Sequence, residues 1–292
     1  MTTLLCLGLG YCARRYVADF GASYSRITGT SRHPETSGGT SATAKKPAVT
    51  RLTFDGTRAS AALLSALHGA DRILISIPPL AAGDPVLTVL AEEFEQVSRL
   101  RSVVYLSTVG VYGDHAGAYV RETTLPAPIS WRSRARLAAE RAWQELGAKI
   151  HKPVSILRLA GIYGPGRNAL VKLAEGRAMR IVKRHQVFNR IHVADVAQTI
   201  EAAFVRQANG IFNVADDKPC PSEEIIMYGA RLMGMEPPRA IPFAQAEPLM
   251  SPLARSFYTE NRRVQNDNLK KVLGVRLIYP TYQNGLDALC AL

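Results

Sequence analysis

The chain has 292 residues, 47% hydrophobic and 21% charged, which suffices for one large α/β domain, or a domain plus a smaller lobe, with a core that needs no staples. Cys6, Cys12, Cys220 and Cys290 form neither a Cys-x-x-Cys pair nor a Cys/His cluster, which excludes a zinc site and a disulfide scaffold and predicts free thiols. The net charge of +12 points to anionic partners, but without zinc-finger spacing, an RNA-binding signature or an aromatic-interleaved basic stripe it does not point to nucleic acid.

The first element, residues 3–7, is a strand and not the apolar core of a signal peptide. No apolar run approaches the roughly 18 residues of a membrane span, so no membrane association and a cytoplasmic location are expected. Gly8-x-Gly10-x-x-Ala13 follows at once and opens a helix. The first glycine permits a tight turn, the second lets backbone N–H groups approach a pyrophosphate, and Ala13 keeps the helix close to the sheet.

The next strand, 26–30, leads into Thr30-Ser31-Arg32, with no carboxylate where NAD-binding chains place one for the ribose 2′-hydroxyl. This predicts NADP in preference to NAD, with the 2′-phosphate hydrogen-bonded by Thr30 and Ser31 and paired with Arg32. Residues 36–46 lack an apolar period and read as an exposed loop. Further strands are predicted at 49–54, 72–77, 103–107 and 154–159. Their alternation with helical stretches indicates an α/β Rossmann fold, a doubly wound parallel sheet.

A helix over 133–146 places Ala135, Ala138, Ala139, Ala142 and Leu146 at helical spacing, predicting a small-residue packing face with Arg134, Arg136 and Arg141 mostly off it. Beyond Gly164-Pro165-Gly166 the texture changes to helical pieces, a strand-like stretch at 210–214 and a Pro-rich turn at 236–238. The expected division is a Rossmann domain over 1–165 and 186–215, interleaved with a small C-terminal α/β substrate lobe over 166–185 and 216–292.

Four motifs in order carry a resemblance. They are the Gly8 loop; residues 104–113, with Ser107-Thr108 and Val111-Tyr112-Gly113; residues 157–166, with Tyr163-Gly164-Pro165-Gly166; and Arg190-Ile191-His192-Val193-Ala194-Asp195-Val196. Together they resemble the extended short-chain dehydrogenase/reductases of the NAD-dependent epimerase/dehydratase family. The closing pattern at 261–266, 273–274, 279–280 and 285–286 resembles its atypical YeeZ-like subgroup.

The resemblance implies a nicotinamide cofactor, often a homodimer, and a cofactor lining of Gly8, Gly10, Tyr11, Cys12, Ala13, Thr30, Ser31, Arg32, Asp55, Ser76, Ile77, Pro78, Ser107, Arg136, Leu159, Ala160, Gly161 and Ile162. Thr108 matches the family's active-site Ser or Thr. The family's Tyr-x-x-x-Lys falls on Arg132 and Arg136, and no tyrosine of this chain is followed four positions on by lysine. Arg136 can take over the lysine's binding role, but Arg132 cannot act as the tyrosine does, because a guanidinium has no acceptor and stays protonated.

Thr108, Arg132 and Arg136 are therefore the catalytic candidates, with the arginines as a clamp for a phosphate or carboxylate. Tyr112, Tyr163, His192 and Asp195 read as structural. The implied function is an NADP-dependent oxidoreductase or epimerase for a nucleotide sugar or similar small anionic substrate. The alternative is a catalytically silent NADP-binding sensor or partner subunit.

Overall fold

The computed structural model describes residues 2–33 and 48–291, so the loop expected at 36–46 lies outside the described residues. Seven strands, β1 (Thr3–Leu7), β2 (Arg26–Ser31), β3 (Val49–Thr53), β4 (Arg72–Ile75), β5 (Ser102–Thr108), β6 (Val154–Leu159) and β7 (Gly210–Val214), form one parallel sheet. The order β3-β2-β1-β4-β5-β6-β7 reverses direction between β1 and β4. At such a switch point the loops leaving neighbouring strands part and open a crevice at the carboxyl ends.

The six strands read from the sequence are all present, and 210–214 joins them at the sheet edge beside β6. β4 ends two residues early. Ser76 and Ile77 both donate their N–H to the Leu7 carbonyl, at 2.9 and 3.3 Å, which turns the chain out of the ladder.

Alternation along β1 shows how the sheet is covered. Leu4 and Cys6 face a core shared with α1 (Tyr11–Phe20) and α5 (Val193–Val205). Leu5 and Leu7 face the opposite core, with α2 (Ala61–His68), α3 (Pro85–Phe94) and α4 (Trp131–Lys149). Each fully buried Leu contributes about 1.5–3 kcal/mol relative to exposure, so both faces anchor the sheet.

Three short parallel pairs lie outside the main sheet: Gly161–Tyr163 with Arg190–His192, Arg180–Val182 with Ala240–Pro242, and Tyr119–Val120 with Arg263–Val264. Two smaller apolar clusters accompany them, one around Leu170, Leu173, Ile226 and Tyr282, the other around Ile181, Ala246 and Met250. No helix among the described residues is long and apolar enough to cross a membrane.

His192 and Asp195 hold the start of α5. The His192 Nδ1 accepts the Ala194 N–H at 3.2 Å as the helix cap. The Asp195 carboxylate accepts N–H groups from Ile278 at 2.6 Å and Tyr279 at 3.1 Å, tying a late segment of chain to this helix.

Candidate cofactor and active site

Gly8 sits at φ +96°, and a Cβ there would come within 2.8 Å of Ser76 Oγ and 2.9 Å of Ile77 Cγ1. Its N–H is accepted by Thr30 Oγ1 at 2.9 Å, and its carbonyl accepts the Ser76 hydroxyl at 2.5 Å. Gly10 differs: a Cβ there meets nothing within 4 Å. Gly10 caps α1 without a side-chain hydrogen bond, and the first turn carries no acidic residue. The open space over Gly10 and the uncapped N–H groups therefore fit an anionic ligand, with the helix dipole adding its positive end. Ala13 is fully buried against the sheet, and burial pushes the Cys12 thiol up to about 11.

The 2′-phosphate expectation needs one correction. Thr30 is fully buried and its hydroxyl is engaged by Gly8, so it supports the loop and presents no surface to a ribose phosphate. Arg32 is exposed at the end of β2, and the half-buried Ser31 donates to the His33 carbonyl at 2.7 Å. Asp55 is exposed beyond β3 and its carboxylate accepts the Thr57 N–H and hydroxyl, which hold it below the usual carboxylate range. Ser76 and Ile77 are half-buried along the crevice and Pro78 is exposed. Across it, Leu159 and Ala160 are buried, Ile162 is half-buried and Gly161 is exposed.

At the carboxyl end of β5, Thr108 is half-buried and its Oγ1 accepts the Gly110 N–H at 3.1 Å, leaving the hydroxyl proton available for another partner. The start of α4 packs on this turn, since a Cβ on Gly110 would lie 3.0 Å from Ser133 Oγ. Ser130 caps α4 by accepting the Ser133 N–H at 3.1 Å. Arg132 is exposed in the first turn, its guanidinium 5.3 Å from the Trp131 ring centroid. One turn on, Arg136 is already engaged: its Nη1 donates to the Leu106 carbonyl at 2.8 Å and to Tyr105 Oη at 3.2 Å. Of the expected arginine pair, Arg132 presents its charge outward and Arg136 braces the end of β5.

The packing face of α4 also differs from the expected one. Ala139, Glu140, Trp143, Leu146 and Gly147 are buried, whereas Ala138 is exposed. A carboxylate on the inner face is possible because Arg158 of β6 meets Glu140 at 2.7 Å and Ser107 donates its hydroxyl to the same carboxylate. Sequence reasoning missed this pair and took Ser107 for a cofactor contact. Ser107 is 5% exposed and instead links the strand below Thr108 to α4.

The nearby phenols do not replace the missing tyrosine. Tyr112 is fully buried and donates to Asn213 Oδ1 at 2.7 Å; Tyr163 is 8% exposed and donates to the Thr281 carbonyl at 3.5 Å. Burial raises both phenols above their ordinary value. The site can bind an anion and donate a hydrogen bond from Thr108, while Arg132 supplies charge without moving a proton.

Residues 84–215 match the profile of the NAD dependent epimerase/dehydratase family. A 3-diazoavenalumate denitrifying reductase of Streptomyces sp is 29% identical over 164 residues, covering 53% of this chain and 53% of that protein. Protein YeeZ of Escherichia coli (strain K12) is 31% identical over 188 residues, covering 60% of this chain and 64% of YeeZ. The chain thus spans between half and two thirds of these curated relatives. A functionally unknown conserved protein from Silicibacter pomeroyi DSS is 43% identical, with full coverage of this chain, 99% of its own and a TM-score of 0.88. Human epimerase family protein SDR39U1, solved with NADPH, shares the fold at 16% identity and a TM-score of 0.71, covering 100% of this chain and 99% of that one.

Proposed function

The chain belongs to the NAD dependent epimerase/dehydratase family, and from that premise we propose that it is an NADP-dependent oxidoreductase for a small anionic substrate, with a site that binds charge where the family transfers a proton. The observation that carries this reading is Arg132, exposed and stacked on Trp131 one helical turn before the buttressing Arg136, on a helix packed against the Thr108 turn. A bound nicotinamide would supply the two-electron exchange. The chain's residues would hold the reactants: Gly8 and Gly10 with the α1 N-terminus under the phosphates, Arg32 at the 2′-phosphate, Thr108 donating to a substrate oxygen and Arg132 pairing with substrate negative charge.

Arg32 without a neighbouring carboxylate on β2 supports NADP, and the Streptomyces relative, named a reductase, supports reduction. The first test is a fluorescence titration with NADPH and NADH side by side. Tighter binding of NADPH is expected, and binding of neither sinks the reading. The buried state of Tyr112 and Tyr163 favours a second reading, an NADP-binding sensor without turnover. It predicts NADPH binding with no oxidation across a panel of nucleotide sugars and carboxylated carbonyl compounds.

A further inference from the structure

The stretch 164–167 crosses over the first turn of α1 and is built to stay there. Gly164 and Arg167 pair in an antiparallel bridge, each accepting the other's N–H at 3.0 Å, and Asn168 Nδ2 donates to the Gly164 carbonyl at 2.9 Å. The Tyr11 hydroxyl donates to the Pro165 carbonyl at 3.0 Å, fastening this strap to α1. Gly164 has no room for a side chain, because a Cβ there would lie 2.7 Å from Tyr11 Oη and 2.7 Å from Val193 Cγ1.

The strap delivers Arg167, whose guanidinium carbon lies 5.8 Å from the Tyr11 ring centroid. The side chain is exposed and, among the described residues, has no carboxylate partner. Its charge reaches both Tyr11 and Cys12 of the first turn, opposing the rise that burial causes in each. A cation held at the positive end of a helix with no acidic residue in its first turn is electrostatically unfavourable until an anion lies between them.

We propose that Arg167 is the upper jaw of the dinucleotide phosphate site and pairs with the second phosphate of the pyrophosphate, the one next to the nicotinamide ribose. This rests on the cofactor reading above and goes beyond the glycine loop that supports it. The choice of phosphate follows from topology. The strap leaves the sheet from β6, on the β4 side of the switch point, whereas the adenosine end belongs with β2 and Arg32. The Tyr11 ring packs beside the guanidinium, whose planar fork can present two N–H groups to one phosphate.

The test compares wild type, Arg167→Ala and Arg167→Lys in titrations with NADPH and with adenosine 2′,5′-bisphosphate, which carries the adenosine half and stops at the first phosphate. Arg167→Ala is expected to weaken NADPH about tenfold and flatten its salt dependence, while changing the bisphosphate by less than about twofold. Arg167→Lys restores part of the loss, as a point charge without the bidentate fork. Unchanged NADPH affinity in Arg167→Ala overturns the proposal. So does an equal loss on both ligands, which marks damage to the shared α1 loop. If wild type binds neither ligand, the cofactor reading fails and this proposal falls with it.

Discussion

Arg158 and Glu140 form an ion pair sealed from solvent, Nη2 to Oε2 at 2.7 Å, with side chains 2% and 1% exposed. It bolts β6 to α4, and the Tyr112 ring centroid lies 4.8 Å from the guanidinium carbon. Ser107 joins the pair from β5, so the strand that ends in Thr108 and the helix that carries Arg132 share one buried junction.

Breaking the junction on one side strands a charge in the core. Glu140→Ala should cost about 3–5 kcal/mol in urea unfolding, because Arg158 keeps its charge with no partner. Replacing both together, Glu140→Leu with Arg158→Met, should recover most of that loss. A double variant no better than the single one would mean the junction contributes through geometry and not through charge compensation.

The two glycines of the loop separate folding from binding. Gly8→Ala forces a methyl to within 2.8 Å of Ser76 Oγ at φ +96° and should destabilise by about 1–3 kcal/mol. Gly10→Val enters open space at the α1 cap, so its melting curve should stay within about 1 kcal/mol of wild type while dinucleotide binding is lost. Calorimetry and a titration on each variant suffice. Gly10→Val that still binds NADPH would place the cofactor elsewhere.

Arg32→Glu should weaken NADPH much more than NADH, by about tenfold or more, since a carboxylate both removes a charge-assisted contact and repels the 2′-phosphate. Equal effects on the two dinucleotides would take Arg32 out of that contact.

Two buried groups pull acid stability in opposite directions. Burial pushes Asp216 up from 3.8 to about 7, so the native state holds a proton that the unfolded chain has already lost, and stability falls as pH rises through that window. Burial, helped by the Arg15 charge, pushes His192 down from 6.5 to about 4, so the unfolded chain takes up a proton that the native state refuses, and stability falls as pH drops through that window. The slopes oppose each other between about pH 4 and 6.5. Asp216→Asn should leave the His192 slope alone, with a urea midpoint that climbs across this range and levels above it. Its difference from wild type should reach about 4 kcal/mol at most. Superimposable profiles would show that Asp216 ionises normally.

The sheet and the phosphate loop were legible because their signals are local. A four-residue apolar run, two glycines and a helix start occupy consecutive positions from Leu4 to Ala13, and each feature names its own geometry. The face of α4 was not legible: its phase depends on Glu140 finding Arg158 eighteen positions away on another element, and apolar periodicity treats a carboxylate as an outward residue. Thr30 was misplaced for a related reason. A hydroxyl next to a ligand site looks the same in sequence whether it faces the ligand or, as here, the backbone of Gly8. Arg167 gave no signal, because its position relative to Tyr11 arises only when β6 and α1 are brought together by the sheet.

The grip of Asp195 on the Ile278 and Tyr279 amides also sets the order in which the molecule can be finished. While a ribosome still holds the segment from 278 onward, this carboxylate, fully buried in the completed protein, lacks the two backbone donors that satisfy it. The helix it opens covers one face of the sheet, so that face closes fully only once the 278–279 segment is free to dock. Docking of the 278–279 segment is the step that completes a layer whose own sequence was translated some eighty residues earlier.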